Sequence, residues 1–375
     1  MIVKKPRNKS LNSKVNTRII LYSAFFLLFT FYFSLSPCFS HEILSRSAVV
    51  VNASTGEILY GKNPHLRCPP ASTTKLMTAI VAIEKANISK VVSISRRAAG
   101  VSPHKAGFKA GDKVTVEKLL YAALLGSAND ATVALAEAVA GSEAGFVKLM
   151  NKKAAEIGAK NTRFVNSNGL PGRGQYTTAF DLSLIMKCAL SYPKLKEIIG
   201  TRVTEILTEN GDSIFLKNTN RLLWSDDALV GGKTGYTRGA RHCFVCAAGR
   251  DTDTVIVALL GNPSREGLWK ESETLISKGF EVIENNVEPL VYYSKAGQNG
   301  SVHKTSYKGM AKTKKSKKSI TGKKTKYKKT KLAVKKKKAK TIAKKKRKAR
   351  SLVKKKKNKR NCNIAEKNEI VRNQG

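Results

Sequence analysis

The sequence predicts an α+β domain, with an antiparallel sheet covered by helices on both faces. Three observations carry that expectation. Strand-like segments stand at both ends of a region from about residue 47 to residue 283, and helix-like segments lie between them. Of the 375 residues, 41% are hydrophobic, enough for one core of ordinary size at about 100–200 residues per domain. Strands at the two ends must meet in space to bury their apolar faces, and the helices between them then cover that sheet. The same composition excludes a wholly disordered chain.

Each element has its own signal. Ala48-Val49-Val50-Val51 and Ile58-Leu59-Tyr60 flank a polar turn ending at Gly56-Glu57 and read as a hairpin. Pro69-Pro70 breaks the chain, and Leu76, Ala79, Ile80 and Ile83 then recur at helical spacing over 72–86. Gly111-Asp112 closes a loop, and helices follow over 116–125 and 130–140, interrupted by Gly126-Ser127-Ala128-Asn129. Two more are expected over 143–157 and 178–190. Strands return at 201–207, 214–217, 229–234, 242–248 and 254–260, before a last helix at 265–283. From residue 287 the pattern fades. The expected organisation is an export signal (1–40), a catalytic domain (41–286), a linker (287–300) and a lysine-rich, low-complexity disordered tail (301–375).

Charge is spread unevenly. The whole chain holds 70 Lys or Arg against 26 Asp or Glu, a formal net charge of +44. Residues 301–360 contribute 30 of the basic residues and no acidic one, whereas 41–300 is closer to balance at 32 against 24. The basicity therefore belongs to a tail, and the pI says little about the folded part. Within the tail, short apolar triplets recur about every ten residues. At ~100° per residue they do not stack on one helix face, so an amphipathic membrane helix is not indicated.

Lys4, Lys5, Arg7, Lys9, Lys14 and Arg18 precede an apolar run of roughly 17 residues and then Ser36-Pro37-Cys38-Phe39-Ser40, the pattern of an export signal. Cleavage after Ser40 is expected, and the run is also long enough to stay as a membrane anchor. Either outcome takes the body out of the cytoplasm, to the periplasm or cell envelope. The cysteines of the body, Cys68, Cys188, Cys243 and Cys246, show no disulfide framework. Cys243-Phe244-Val245-Cys246 has the spacing of a redox or zinc pair, but on a strand these two side chains face opposite sides, which favours a core role.

Three short elements carry the chemistry: Ser72-Thr73-Thr74-Lys75, Ser127-Ala128-Asn129 and Lys233-Thr234-Gly235. Ser72 stands at a helix start, where developing negative charge is stabilised, and Lys75 falls one turn later on the same face. A serine hydroxyl needs a base, and a lysine amine serves if its pKa is depressed. Burial and a second ammonium both depress it, and Lys233 is the candidate second charge. Ser127 and Asn129 are suited to relaying a proton and holding a substrate amide. Together the three elements form one acyl-transfer site.

These motifs, with Asn166-Ser167-Asn168-Gly169-Leu170 and Gly232-Lys233-Thr234-Gly235-Tyr236-Thr237, resemble the exported D-alanyl-D-alanine carboxypeptidases among the low-molecular-mass penicillin-binding proteins, which share the serine β-lactamase fold. The resemblance covers about residues 47–283. It implies that Ser72 attacks the carbonyl between the two terminal D-alanines of a peptidoglycan stem peptide, with Lys75 as base. It further implies that Ser127 passes a proton to the departing D-alanine, Asn129 holds the peptide carbonyl and Lys233 polarises Ser127. The oxyanion would rest on the backbone N–H groups of Ser72 and Tyr236. Thr234, beside Gly235, would grip the terminal carboxylate with an arginine, either Arg265, which looks like the family's, or Arg238 or Arg241, which are nearer in sequence. β-Lactams would act as covalent inhibitors, and no cofactor or metal is called for. Residue 236 is Tyr where some relatives carry His, and the lysine tail stands where many relatives have a β-rich module and an amphipathic anchor.

Other readings of the same sequence are a D,D-endopeptidase or a β-lactamase on this fold, or a polyanion-binding envelope protein. A β-lactamase would need a carboxylate to activate the deacylating water, and 161–174 contains no Asp or Glu. The tail is expected to bind anionic envelope polymers or lipids. Nucleic acid is disfavoured by export and by the near absence of aromatics for base stacking.

Overall fold

The computed structural model describes residues 42–293 and the strand His303–Thr305. The expected export signal, and all of the tail but that strand, lie outside the described residues. Every described residue belongs to the unit Met1–Lys308.

In chain order, β1 (Ser47–Asn52) and β2 (Ile58–Lys62) form the expected hairpin. A 3₁₀ turn, Ala71–Thr74, then leads into α1 (Lys75–Lys85). Next come β3 (Val91–Ser93), α2 (Arg96–Gly100) and β4 (Lys113–Thr115), followed by the helices α3 (Val116–Leu124), α4 (Asn129–Ala140), α5 (Glu143–Glu156), α6 (Ala179–Leu190) and α7 (Pro193–Gly200). The chain continues through β5 (Val203–Leu207), β6 (Ser213–Lys217), β7 (Leu229–Thr237), β8 (Arg241–Arg250), β9 (Asp253–Asn262), α8 (Arg265–Glu284), β10 (Leu290–Tyr293) and β11 (His303–Thr305). Side chains at the N-caps fix several helix starts: Thr115, Ser142, Thr178 and Ser264 each accept a backbone N–H three residues on, capping α3, α5, α6 and α8.

The main sheet runs β11-β10-β2-β1-β9-β8-β7. As the sequence requires, its first strand meets its last long one: β1 pairs antiparallel with β9, from Ser47↔Leu260 to Asn52↔Val255. All neighbours are antiparallel except β10 and β2, which run parallel. Alternation along the strands divides the core in two. Val49, Val51, Cys243, Val245, Ile256 and Ala258 pack under the helical cluster around α1, α3, α4 and α6. Ala48, Val50, Phe244, Cys246, Val255 and Val257 pack under α8 through Leu275, Ile276 and Phe280. Cys243 and Cys246 thus lie on opposite faces, as strand geometry dictates.

Several elements differ from the sequence reading, which also did not include β3, α2, β4 or α7. The segment expected as a linker contributes β10, and the start of the expected tail contributes β11; both extend the sheet beyond β2. The strands at 201–207 and 214–217 do not join the main sheet but pair with each other as β5 and β6. The helix expected to begin at Ser72 begins instead as the 3₁₀ turn, because Ala71 takes a left-handed conformation with φ 49° after Pro70. The buried Glu271 on α8 ties down the start of the domain, accepting the N–H of Leu44 at 2.6 Å and the hydroxyl of Ser45 at 2.5 Å.

The loop 166–170 braces that turn. Ser167 donates its N–H and hydroxyl to Glu143 Oε1 at 2.9 and 2.7 Å, and Thr78 Oγ1 donates to Ser167 O at 2.5 Å. Gly169, at φ 86°, lies so close that a β-carbon there would fall 1.8 Å from Ala71 O. Gly169→Ala is therefore expected to lower stability by about 2–4 kcal/mol, through backbone strain and a clash that must move Ala71. Urea unfolding of the variant checks this.

Candidate active site

The 3₁₀ turn decides the first contact. In such a turn side chains three residues apart eclipse one another, and Ser72 and Lys75 are so spaced: Ser72 Oγ lies 3.0 Å from Lys75 Nζ. Lys75 is fully buried. Its amine also lies 2.7 Å from Asn129 Oδ1 and 2.8 Å from the carbonyl oxygen of Asn168. Those two oxygens only accept hydrogen bonds, whereas a hydroxyl can donate as well. A neutral amine, with two N–H bonds and one lone pair, matches this set: it donates to Asn129 and Asn168, and its lone pair faces the Ser72 hydroxyl.

Ser127 occupies the break between α3 and α4 in a left-handed conformation, φ 58°. Lys233 reaches it from β7, with Nζ 3.0 Å from Ser127 Oγ and 3.0 Å from the carbonyl oxygen of Thr234. Asn129 opens α4 and ties Lys75 to the loop before β4, since its Oδ1 accepts from Lys75 while its Nδ2 donates to Pro103 O. Asp130 follows it, buried, and accepts the N–H groups of Ala106 and Gly107 at 3.0 Å each, fixing the loop before β4 at the rim of the site.

Burial is the first cause that drives the Lys75 pKa well below its usual value, and the charge of Lys233 adds to it; Asp130 opposes both. Lys233 is pulled down to about 7 by burial. Both amines are thus biased toward the neutral form, and because repulsion between two ammonium groups is mutual, both are disfavoured from carrying a proton at the same time.

β7 comes up against the serine turn. At Gly235 a β-carbon would lie 2.9 Å from Ser72 N and 3.1 Å from Thr73 N, so only glycine permits that approach. Tyr236, 58% exposed, stacks beside His242 with ring centroids 4.5 Å apart. Burial lowers the proton affinity of His242, as do the nearby Arg265 and Arg241. Of the three candidate arginines, Arg265, exposed at the start of α8, and Arg241 therefore share the neighbourhood of Tyr236. Arg238 is exposed on the β7–β8 turn.

The structure joins Ser72, Lys75 and Asn129 in one hydrogen-bonded set and Ser127 with Lys233 in a second, near enough for the Lys233 charge to act on Lys75, and brings Gly235 against Ser72. It also adds residues that sequence reasoning did not single out: Asn168 through its carbonyl, Asp130, Glu143 and Thr219. Asn168 lies inside a segment already conspicuous for its resemblance. Thr219, whose Oγ1 is 2.6 Å from Thr234 Oγ1, has no motif to announce it.

Comparison with known proteins points the same way. The sequence profile described as D-alanyl-D-alanine carboxypeptidase matches residues 34–264, more than half of the chain. The D-alanyl-D-alanine carboxypeptidase DacF of Bacillus subtilis is 39% identical over 228 residues, covering 59% of this chain and 58% of the relative, so the chain spans under two thirds of that protein's length. DacC of Escherichia coli is 33% identical over 258 residues, 66% of this chain and 63% of the relative. Among solved structures, the D-alanyl-D-alanine carboxypeptidase of Mycobacterium tuberculosis superposes with a TM-score of 0.61 at 31% identity, covering 66% of this chain and 96% of that one. A Streptomyces DD-transpeptidase gives 0.61 at 30%, covering 64% and 98%. With a family profile matched over most of the folded region and the three motifs brought together at one site, the chain belongs to the D-alanyl-D-alanine carboxypeptidase family.

Proposed function

We propose that this protein is a serine-type D-Ala-D-Ala carboxypeptidase that removes the terminal D-alanine from peptidoglycan stem peptides through an acyl-enzyme. One observation carries the reading: the Ser72 hydroxyl faces a fully buried amine whose other two neighbours only accept hydrogen bonds. Ser72 Oγ attacks the carbonyl carbon of the penultimate D-alanine as its proton passes to Lys75 Nζ. The oxyanion sits at the Ser72 and Tyr236 N–H groups, an arrangement favoured by the close approach of Gly235 and worth about 3–4 kcal/mol per donor. As the C–N bond of the tetrahedral adduct breaks, the proton held by Lys75 is relayed through the Ser127 hydroxyl, which Lys233 polarises, to the nitrogen of the departing D-alanine, leaving Lys75 neutral and Ser127 protonated. Water then cleaves the Ser72 ester. Asn129 holds the peptide carbonyl, and Thr234 with Arg265 grips the terminal carboxylate.

β-Lactams are expected to acylate Ser72 and leave slowly. Asp130 and Glu143, on helices flanking the site, are engaged by the amides of Ala106 and Gly107 and by Ser167, which speaks against either serving as a deacylating base. The 30 basic residues of 301–360 favour retention of the enzyme on anionic envelope polymers or lipids.

With a stem pentapeptide ending in D-Ala-D-Ala, Ser72→Ala is expected to cut release of D-alanine by about 10⁴-fold or more. Lys75→Arg is expected to be equally inactive, since a guanidinium cannot serve as base. In the wild type, kcat/KM falls as pH is lowered, because protonation of Lys75 removes the base, and its depressed pKa places that fall well below pH 10.5. An intact Ser72→Ala variant would overturn the reading.

Burial of Lys233 also predicts a stability signature. Between its folded pKa of about 7 and its unfolded value of 10.5 the unfolded chain binds the extra proton, so stability rises with pH through that window. Lys233→Met abolishes the term. The stability of the wild type relative to that variant is expected to increase by on the order of 2 kcal/mol from pH 6 to pH 9, read from urea unfolding at each pH.

Truncation after Lys308 keeps β11 and is expected to leave activity on the soluble pentapeptide within about twofold, while the protein washes from envelope fractions at moderate salt. Loss of soluble-substrate activity would show that the tail is not separable.

A further inference from the structure

Thr219 lies on the segment between β6 and the 3₁₀ turn Arg221–Trp224, far in sequence from the serine turn and outside every motif. Its backbone is clamped on both sides. Asn218, buried, donates its amide to the carbonyls of Ile199 and Thr201 at 3.3 and 2.9 Å and accepts the N–H of Asn220 at 3.0 Å. Asn220, also buried, accepts the N–H of Leu222 at 3.1 Å. The N–H of Thr219 itself donates to Leu125 O at 3.3 Å, on the chain leading into Ser127. The half-buried side chain is thereby held with Oγ1 2.6 Å from Thr234 Oγ1.

Each hydroxyl has one proton and two acceptor sites. If Thr234 donates to Thr219, its proton is spent and it offers only lone pairs to an incoming anion, which is repulsive. If Thr219 donates, the Thr234 proton is free to point into the pocket, and its polarity rises through the cooperative bond behind it. A carboxylate beside Thr234 selects the second arrangement, and no other donor to Thr234 Oγ1 is recorded among the described residues.

We propose that Thr219 is a positioning residue that turns the Thr234 hydroxyl toward the free C-terminal carboxylate of the substrate, and so sets the preference for peptides with a free carboxyl end. This rests on the carboxypeptidase reading and adds to it a residue that touches neither the scissile bond nor the nucleophile.

The test compares the stem pentapeptide with the same peptide carrying a C-terminal carboxamide, each followed in single turnover at high enzyme concentration. Thr219→Val, nearly isosteric and without a hydroxyl, is expected to lower kcat/KM on the free acid roughly tenfold, mainly through KM, and to change the carboxamide by less than about twofold. Thr219→Ser is expected to restore the preference. A merely structural role would lower both substrates together. An unchanged acid-to-amide ratio in Thr219→Val overturns the proposal while leaving the carboxypeptidase reading standing. A wild type that releases no D-alanine from the free acid overturns both. Should the valine variant not fold, Thr219→Ala carries the same comparison.

Discussion

Two lysine amines are sealed inside this protein, and the rest of the site follows from that burial. An ammonium taken out of water without a carboxylate partner is costly, and the least costly response is to lose the proton. Lys75 meets only neutral oxygens, while the second buried amine, Lys233, adds repulsion to desolvation. Burial thus gives the residue type most suited to carrying positive charge a neutral amine with a free lone pair. The same burial leaves Lys233 near the point of losing its own proton at about pH 7, beside the Ser127 hydroxyl it contacts.

Holding the amines there requires the fold to bring three distant stretches of chain within bonding distance. β7 is the edge strand of the main sheet, so its outer side is open to the helical cluster rather than to another strand. Glycines supply the close approaches: Gly235 lets β7 come against the N–H of Ser72, and Gly169 lets the loop 166–170 press on Ala71. Both serine-bearing segments include a non-glycine residue in the left-handed region, Ala71 at φ 49° and Ser127 at φ 58°. Such strain, of order 1–2 kcal/mol per residue, persists only where surrounding contacts enforce it. Here the braces are Glu143 through Ser167, and Asp130 through the Ala106–Gly107 amides.

The polar groups around Ser72 form a nearly closed set of donors and acceptors. Asn129 connects Lys75 to the loop at Pro103, Asn168 uses its carbonyl on Lys75 and its side chain on Leu170, and Thr219 backs Thr234. A group oriented in this way before substrate arrives needs no reorganisation as charge develops. That is why residues far from any motif, such as Asn218 and Asn220, matter to the site: they fix the backbone of a neighbour whose hydroxyl points inward.

The sequence by itself determined the elements and the chemical types. Apolar alternation marked β1, β8 and β9, helical spacing marked α1 and α4, and the three short motifs named Ser72, both amines and Asn129. These are local signals, set by backbone period and by which side chains can act as base or nucleophile. What only the tertiary structure decided lies in contacts between segments far apart in the chain. The pairing of β10 with β2, the separate β5–β6 ribbon, the 3₁₀ start at Ala71 and the Thr219–Thr234 bond depend on which surfaces meet. No local pattern encodes them, because a strand segment carries the same alternation whichever partner it finds, and a threonine hydroxyl becomes a positioning group only when another chain segment places an acceptor within its reach.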